Sequence, residues 1–299
     1  MPSMRKNLPY LLLAFANAII FISCVSQRKV TSAKTKLTAI DSQFLKYDKT
    51  LTELNAQRKK KQEQNEIDDT ASARIQKFID STNAGIDSLL AHNSVLIGTA
   101  IVNKTDWEQL VKSLSFSKRT SKTINEKVLL ITDLVNRNTV VNLDQDLLFE
   151  PGQYTVTPVV AAAIGKYFEP AATEIDLFSK KYPDFPMSLV ITAKGYADGT
   201  TIAEGTSLYK NLLTRLKLNT AAPDNKELNK ELSRARAEEI ISLFKKFSSR
   251  WSANGSYIKN ILFFYEGKGE ALPNPKAADY KTDDQRRRVV LLYWSIFPE

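Results

Sequence analysis

From residue 25 to residue 139 the chain contains no proline and only two glycines. So long a stretch without a helix breaker favours helices over turns and strands. Its apolar residues agree. Leu37, Ile40, Phe44, Tyr47, Leu51 and Leu54 alternate three and four apart, a heptad seam sustained for under three heptads, which predicts an amphipathic helix packed on another helix. One unbroken helix from Val30 to Asp68 would reach ~58 Å, the length of a stalk. A second helix is expected from about Thr70 to His92, with Ile75, Ile79, Ile86 and Leu90 on one face and His92 as its terminal residue rather than a ligand. A third is expected over Ser121–Asn136, striped by Ile124, Val128, Ile131 and Leu134. Residues 24–139 thus read as a helical stalk or bundle.

Near residue 140 the composition changes: prolines, glycines and aromatics enter, and period-two runs alternate with helical ones. TVVNLDQDLLF reads as a strand, and Thr157-Pro158 as a helix start, with proline in the first turn. The helical pattern of Val160, Ala163, Ile164, Tyr167 and Phe168 is expected to be interrupted at Pro170. SLVITAKG alternates as a strand with one buried face. NKELSRARAEEIISLFKKF is helical, NILFFYEG is a strand, and RRRVVLLYWSIF is the last strand. The order β-α-β-α-β-β predicts an α+β domain over 140–299, a mixed sheet with helices on one side.

The chain has one histidine, His92, and one cysteine, Cys24. An internal disulfide, a thiolate–imidazole zinc cluster and a serine– or cysteine–histidine nucleophile are all excluded on that count. No cofactor is implied, and no catalytic constellation is visible. Arg5 and Lys6 followed by the apolar run Leu8–Ile22 form an export signal over residues 1–23, slightly short for a membrane span, which needs ~20 apolar residues. FISC at its end resembles the lipobox of bacterial lipoproteins, which implies acylation of Cys24; an uncleaved signal anchor is the other reading. Val25 is not the aspartate that retains many lipoproteins in the inner membrane, so attachment to the outer membrane, facing the periplasm, is expected. Formal net charge is +9, but residues 24–61 alone carry ten Lys or Arg against three acids, and residues 62–299 balance. The basic run Arg58-Lys59-Lys60-Lys61 suits anionic head groups or wall polymer near the anchor, and equally a solvated helix face. Export and this distribution argue against nucleic acid as a partner.

The stretch AKGYADGTT (193–201) follows the second strand of the domain. Taken alone, Asp198 between small residues is a turn former. In company it is more. The segment from about 145 to 295 resembles the OmpA-like peptidoglycan-binding domain, through five stretches in that family's order. These are LFEPGQYTVTP with Phe149, Gly152 and Pro158; GYAD; NKELSRARA with Asn229, Leu232, Ser233, Arg236 and Ala237; GKGEALP with Glu270 and Pro273; and the arginines of RRRVVL. The resemblance implies that Asp198 and Arg236 hold diaminopimelate of the peptidoglycan stem peptide, with Tyr196, Ala197, Asn229, Leu232, Arg287 and Arg288 in support. The chemistry is self-consistent. An ammonium and a carboxylate on one carbon call for one fixed anion and one fixed cation, and the arginine fork can donate two parallel bonds to the carboxylate.

Two features depart from the family. Ala197 stands where its threonine is usual, and the step from Asp198 to Asn229 is 31 residues long. This insertion, about 200–228, contains SLYKNLLTRLKL with Leu208, Leu212 and Leu216 on one helical face; covering the site and binding a partner are open to it, and patching the domain surface is expected first. The function expected is non-catalytic tethering of the outer membrane to peptidoglycan, with residues 25–139 dispensable for wall binding and open to a helical protein partner. A stator-like subunit with an uncleaved anchor is the alternative, although the run Leu8–Ile22 has no carboxylate. A wall hydrolase is disfavoured, since neighbours such as Glu238 and Glu239 point apart on a helix.

Overall fold

A computed structural model describes residues 26–101, 103–137, 139–217, 223–251, 258–277 and 279–298. The apolar N-terminal run and Cys24, which carry the expectations of lipidation and outer-membrane attachment, lie outside the described residues. Three long helices come first: α1 (Gln27–Glu63), α2 (Asp69–Gly98) and α3 (Lys104–Asn136). By contacts, the chain divides into two compact units. One joins the described residues up to Leu54 with Phe78–Ile131; the other joins Asn55–Lys77 with the chain from Thr132 onward.

The first unit is a helical bundle. Leu37, Phe44 and Leu51 of the heptad seam are wholly buried, with Ile40 and Tyr47 half-buried. Ile79 and Ile86 of α2 and Leu110, Leu130 and Ile131 of α3 are buried with them. A polar layer interrupts this core. Asn93 donates to Asp41 at 2.6 Å and accepts from the hydroxyls of Ser113 and Ser117. Burial holds the Asp41 carboxyl above the ordinary range, with the Asn93 bond opposing. Helix bounds differ from expectation in three places. The first helix does not continue to Asp68, because Asn65 takes a left-handed turn (φ 54) and Asp68 accepts from the amides of Thr70 and Ala71 to start α2. His92 is exposed inside α2 rather than at its end. The third helix starts at Lys104, where Asn103 accepts from the Asp106 amide.

The second unit carries the sheet. Its elements are β1 (Val140–Asp144), α4 (Gln145–Leu148), α5 (Pro158–Ala163), α6 (Gly165–Lys181), β2 (Met187–Gly195), α7 (Ser207–Leu216), α8 (Asn225–Trp251), β3 (Ile258–Gly267) and β4 (Val289–Pro298). The strand order is β1-β4-β2-β3. β4 is antiparallel to both neighbours, whereas β2 and β3 are parallel. The sheet is therefore mixed and the unit α+β. The expected strand over 139–149 is cut at Asp144, whose carboxylate accepts from the Asp146 amide and turns the chain into α4. Thr157 caps α5 and Pro158 opens it. The break after α5 falls at Ile164, and α6 runs through Pro170. Pro170 has no amide to donate to the Lys166 carbonyl four residues back, and the helix tolerates that one missing bond.

One sheet face packs on α8. Its approach is so close that a Cβ on Gly195 would stand 2.0 Å from the Ser233 carbonyl oxygen, and one on Gly267 2.2 Å from that of Lys230. Phe168 of α6 and Phe244 and Phe247 of α8 meet edge to face on this side, their centroids 4.9–5.8 Å apart. The other face is not open to solvent, so the expectation of helices on one side needs correction. All nine residues of β2 are buried. Thr192 donates to Asp68, Tyr293 donates to the Asn65 carbonyl, and the Arg74 guanidinium lies 5.6 Å from the centre of the Phe297 ring. The segment Asn55–Lys77 thus covers the second face. Arg58, read as part of an exposed basic run, is itself buried there and bonds Asn55 and Gln76.

Candidate functional site

Gly195 lets α8 lie against the end of β2, and the next residues are fixed one by one. The Tyr196 amide donates to the Val289 carbonyl, that of Ala197 to Gly269, and that of Gly199 to Thr282. Tyr196 turns its ring into a core with Leu291 and Tyr293. Gly199 admits no side chain, since a Cβ would meet the Thr282 methyl at 2.4 Å. Each residue of GYADG but Asp198 therefore has a packing role.

Asp198 is 6% exposed and faces a cleft of about 620 Å³. Its Oδ2 accepts from Arg288 Nε at 2.8 Å, Arg288 Nη2 at 2.7 Å and the Thr200 hydroxyl at 2.9 Å. Its Oδ1 takes only the Thr200 amide, at 3.3 Å, and keeps spare acceptor capacity. Arg288 also reaches Asp146 at 3.4 Å. Burial opposes the Arg288 charge, but Asp198 and Asp146 outweigh it and hold its pKa above the ordinary value.

Arg236 lines the same cleft, 8% exposed. Its Nε donates to the Gln153 carbonyl at 3.1 Å, Nη1 donates to Gln145 Oε1, and the guanidinium sits 5.3 Å from the centre of the Phe149 ring. Among the described residues no carboxylate bonds it, and Nη2 has no hydrogen-bond partner. Burial pulls its pKa down to about 10, with Asp146 opposing, Arg288 adding and Asp198 opposing. A desolvated guanidinium without a bonded anion is energetically costly, and an incoming carboxylate would relieve it.

Of the residues expected in support, Ala197, Asn229, Leu232 and Arg288 line the cleft. Asn229 donates to the Thr200 carbonyl and to Glu270, which ties α8 to the loop after Asp198. Tyr196 and Arg287 do not line it. Arg287 bonds the carbonyls of Lys281, Thr282 and Glu270, so it pins the loop before β4. Gln145 was not anticipated. It is buried, donates to the carbonyls of Tyr196 and Val289, and accepts from Arg236, so it orients the guanidinium. Its surroundings, LDQDLL, read as part of a strand, and a lone glutamine there gave no signal.

The insertion does more than patch the surface. Thr206 caps α7, Leu212 is fully buried against Leu228 and Leu232, and Ile202, Ala203, Thr206, Ser207 and Leu208 form part of the cleft wall. Among the described residues no group of three or more His, Cys, Asp or Glu could hold a metal ion, and no helix is long and apolar enough to cross a membrane. No family model matches the chain, and no curated protein matches it.

Proposed function

We propose that the cleft binds the free amino-acid centre of diaminopimelate in peptidoglycan, without catalysis, and that the protein tethers the outer membrane to the wall through acylated Cys24. The observation that carries this reading is Arg236, a buried guanidinium that among the described residues bonds no carboxylate and leaves Nη2 unbonded, in one cleft with Asp198. The ligand carboxylate would take Nη2 and the ammonium would take Asp198 Oδ1. Charge in the cleft supports a zwitterion over a simple anion: its charged lining, Asp146, Asp198, Arg236 and Arg288, sums to zero. The resemblance to OmpA-like domains supports the same pair. Affinity at a single site can be modest, because the wall repeats its ligand and the anchor confines the cleft near it.

The test is binding to purified sacculi. Arg236→Ala and Asp198→Ala each leave a charge of the ligand unpaired, a loss of ~1–3 kcal/mol and so about tenfold or more in affinity. The double variant should be little worse than either single one, because the two act as one clamp. Arg236→Lys should also fail, since a point charge cannot span the fork. Both alanine variants staying folded and binding like wild type would overturn the proposal.

A further inference from the structure

A single amino-acid centre fills only part of a cleft of about 620 Å³. The insertion supplies one side of the remaining wall, and that side is uncharged: Ile202, Ala203 and Leu208 are apolar, while Thr206 and Ser207 carry hydroxyls. This wall is held without a ligand. The Ile202 amide donates to Asn225 at 2.9 Å, Leu212 fills a socket with Leu228 and Leu232, and Arg215 bonds Glu231 at 2.8 Å and Glu238 at 2.6 Å. Burial works against the Arg215 charge, yet the two glutamates raise its pKa, so the ionic anchor persists.

The helical register sets the distance from clamp to wall. Leu228, Leu232 and Arg236 lie four apart on one face of α8, so the leucine that holds the insertion sits ~6 Å along the helix from the arginine. An extended peptide advances ~3.3–3.6 Å per residue. A ligand gripped at Arg236 therefore reaches the insertion wall within one or two residues.

Resting on the proposed diaminopimelate clamp, we infer that the insertion forms a subsite for a small neutral residue, such as alanine, joined to that ligand. Charged or bulky neighbours are unsuited to this wall, which has no charge to pair and is pinned in place. A preorganised wall adds affinity without an ordering cost.

Calorimetry on the full-length chain distinguishes the clamp from the subsite. The probes are free diaminopimelate and a peptide in which its far carboxyl is joined to alanine. Wild type should bind the peptide at least about fourfold tighter, the equivalent of one buried methyl group. Ala203→Trp, which fills the subsite, and Leu208→Ala, which strips its wall, should each bring the ratio of the two affinities close to one. Equal affinity of wild type for both probes, or an undiminished ratio in both variants, overturns the subsite and leaves the clamp standing. Binding of neither probe overturns the clamp and the subsite together.

Discussion

Lys194 offers the sharpest energetic test of how the sheet unit is held together. It is 3% exposed, on the sheet face away from α8, with Nζ 3.1 Å from Asp68 and 2.8 Å from Asp69. Burial lowers its pKa, but Asp69 and Asp68 outweigh burial and leave it raised. Lys194→Met keeps most of the stem packing and removes the charge, which strands the carboxylate of Asp68, itself 3% exposed. Breaking a buried pair from one side costs ~3–5 kcal/mol. Asp68 retains the amides of Thr70 and Ala71 and the Thr192 hydroxyl, so the lower end, about 3 kcal/mol, is expected. The double variant Lys194→Met with Asp68→Asn has no stranded charge and should recover about 1–2 kcal/mol of that loss. Urea unfolding of the single and double variants measures both quantities. A single variant within about 0.5 kcal/mol of wild type, or a double variant no more stable than Lys194→Met, would refute the role given to the pair.

Gly195→Ala forces a methyl against the Ser233 carbonyl, where only backbone can yield; a loss near the top of the ~1–3 kcal/mol range for overpacking is expected by urea unfolding, together with weaker sacculus binding as α8 is displaced. Asp69 and Asp133 give a pH dependence. Burial works to raise both, but Lys194 and Gln62 lower Asp69 more, and Lys181 and Tyr182 lower Asp133 more. Because the folded values are depressed, their stabilisation is complete above ~4 and is lost as pH falls through the lowered values. Asp133→Asn should flatten the loss of stability as pH falls below ~4, and an unchanged slope would count against it. Cys24→Ala should release the protein from membranes or leave its signal uncleaved. Unaltered fractionation together with an unmodified wild-type cysteine by mass spectrometry would remove the anchor from the proposal.

How far the fold is legible in the residues follows the reach of each signal. Period-two and period-3.6 patterns report burial along one element, and they place β2, β4, α8 and the bundle helices. They do not say which distant segment provides the cover. SLVITAKG alternates as a half-exposed strand should, yet Thr192 and Lys194 are buried, because Asp68 and Asp69 meet them from more than a hundred residues away. Composition marks residue 140, where the sheet begins, whereas the compact units divide elsewhere and the sheet unit takes in Asn55–Lys77. That changes the reading of residues 25–139 as dispensable for wall binding: a fragment from residue 140 would lack the segment that covers the second sheet face and would strip Lys194 of its carboxylates.

At the site, Asp198 and Arg236 are legible through the resemblance, not through residue type alone, since Asp198 by itself reads as a turn former. Asp198 and Arg236 are far apart in sequence, and β2 and α8 bring both to one cleft because Gly195 removes the Cβ that would hold strand and helix apart. What escaped notice was support without a chemical signature. Gln145 is a neutral amide in a polar run, and its value lies in a shape only the fold creates: one end bonds the carbonyls of Tyr196 and Val289, the other the guanidinium of Arg236. The same logic explains Arg288. Two adjacent arginines look interchangeable, but Arg287 closes the 3-10 turn Gln285–Arg287 and faces loop carbonyls, whereas Arg288 follows it as the C-cap and faces Asp198. Residue type suggests which groups could hold a ligand, and the fold decides which of them reach the cleft.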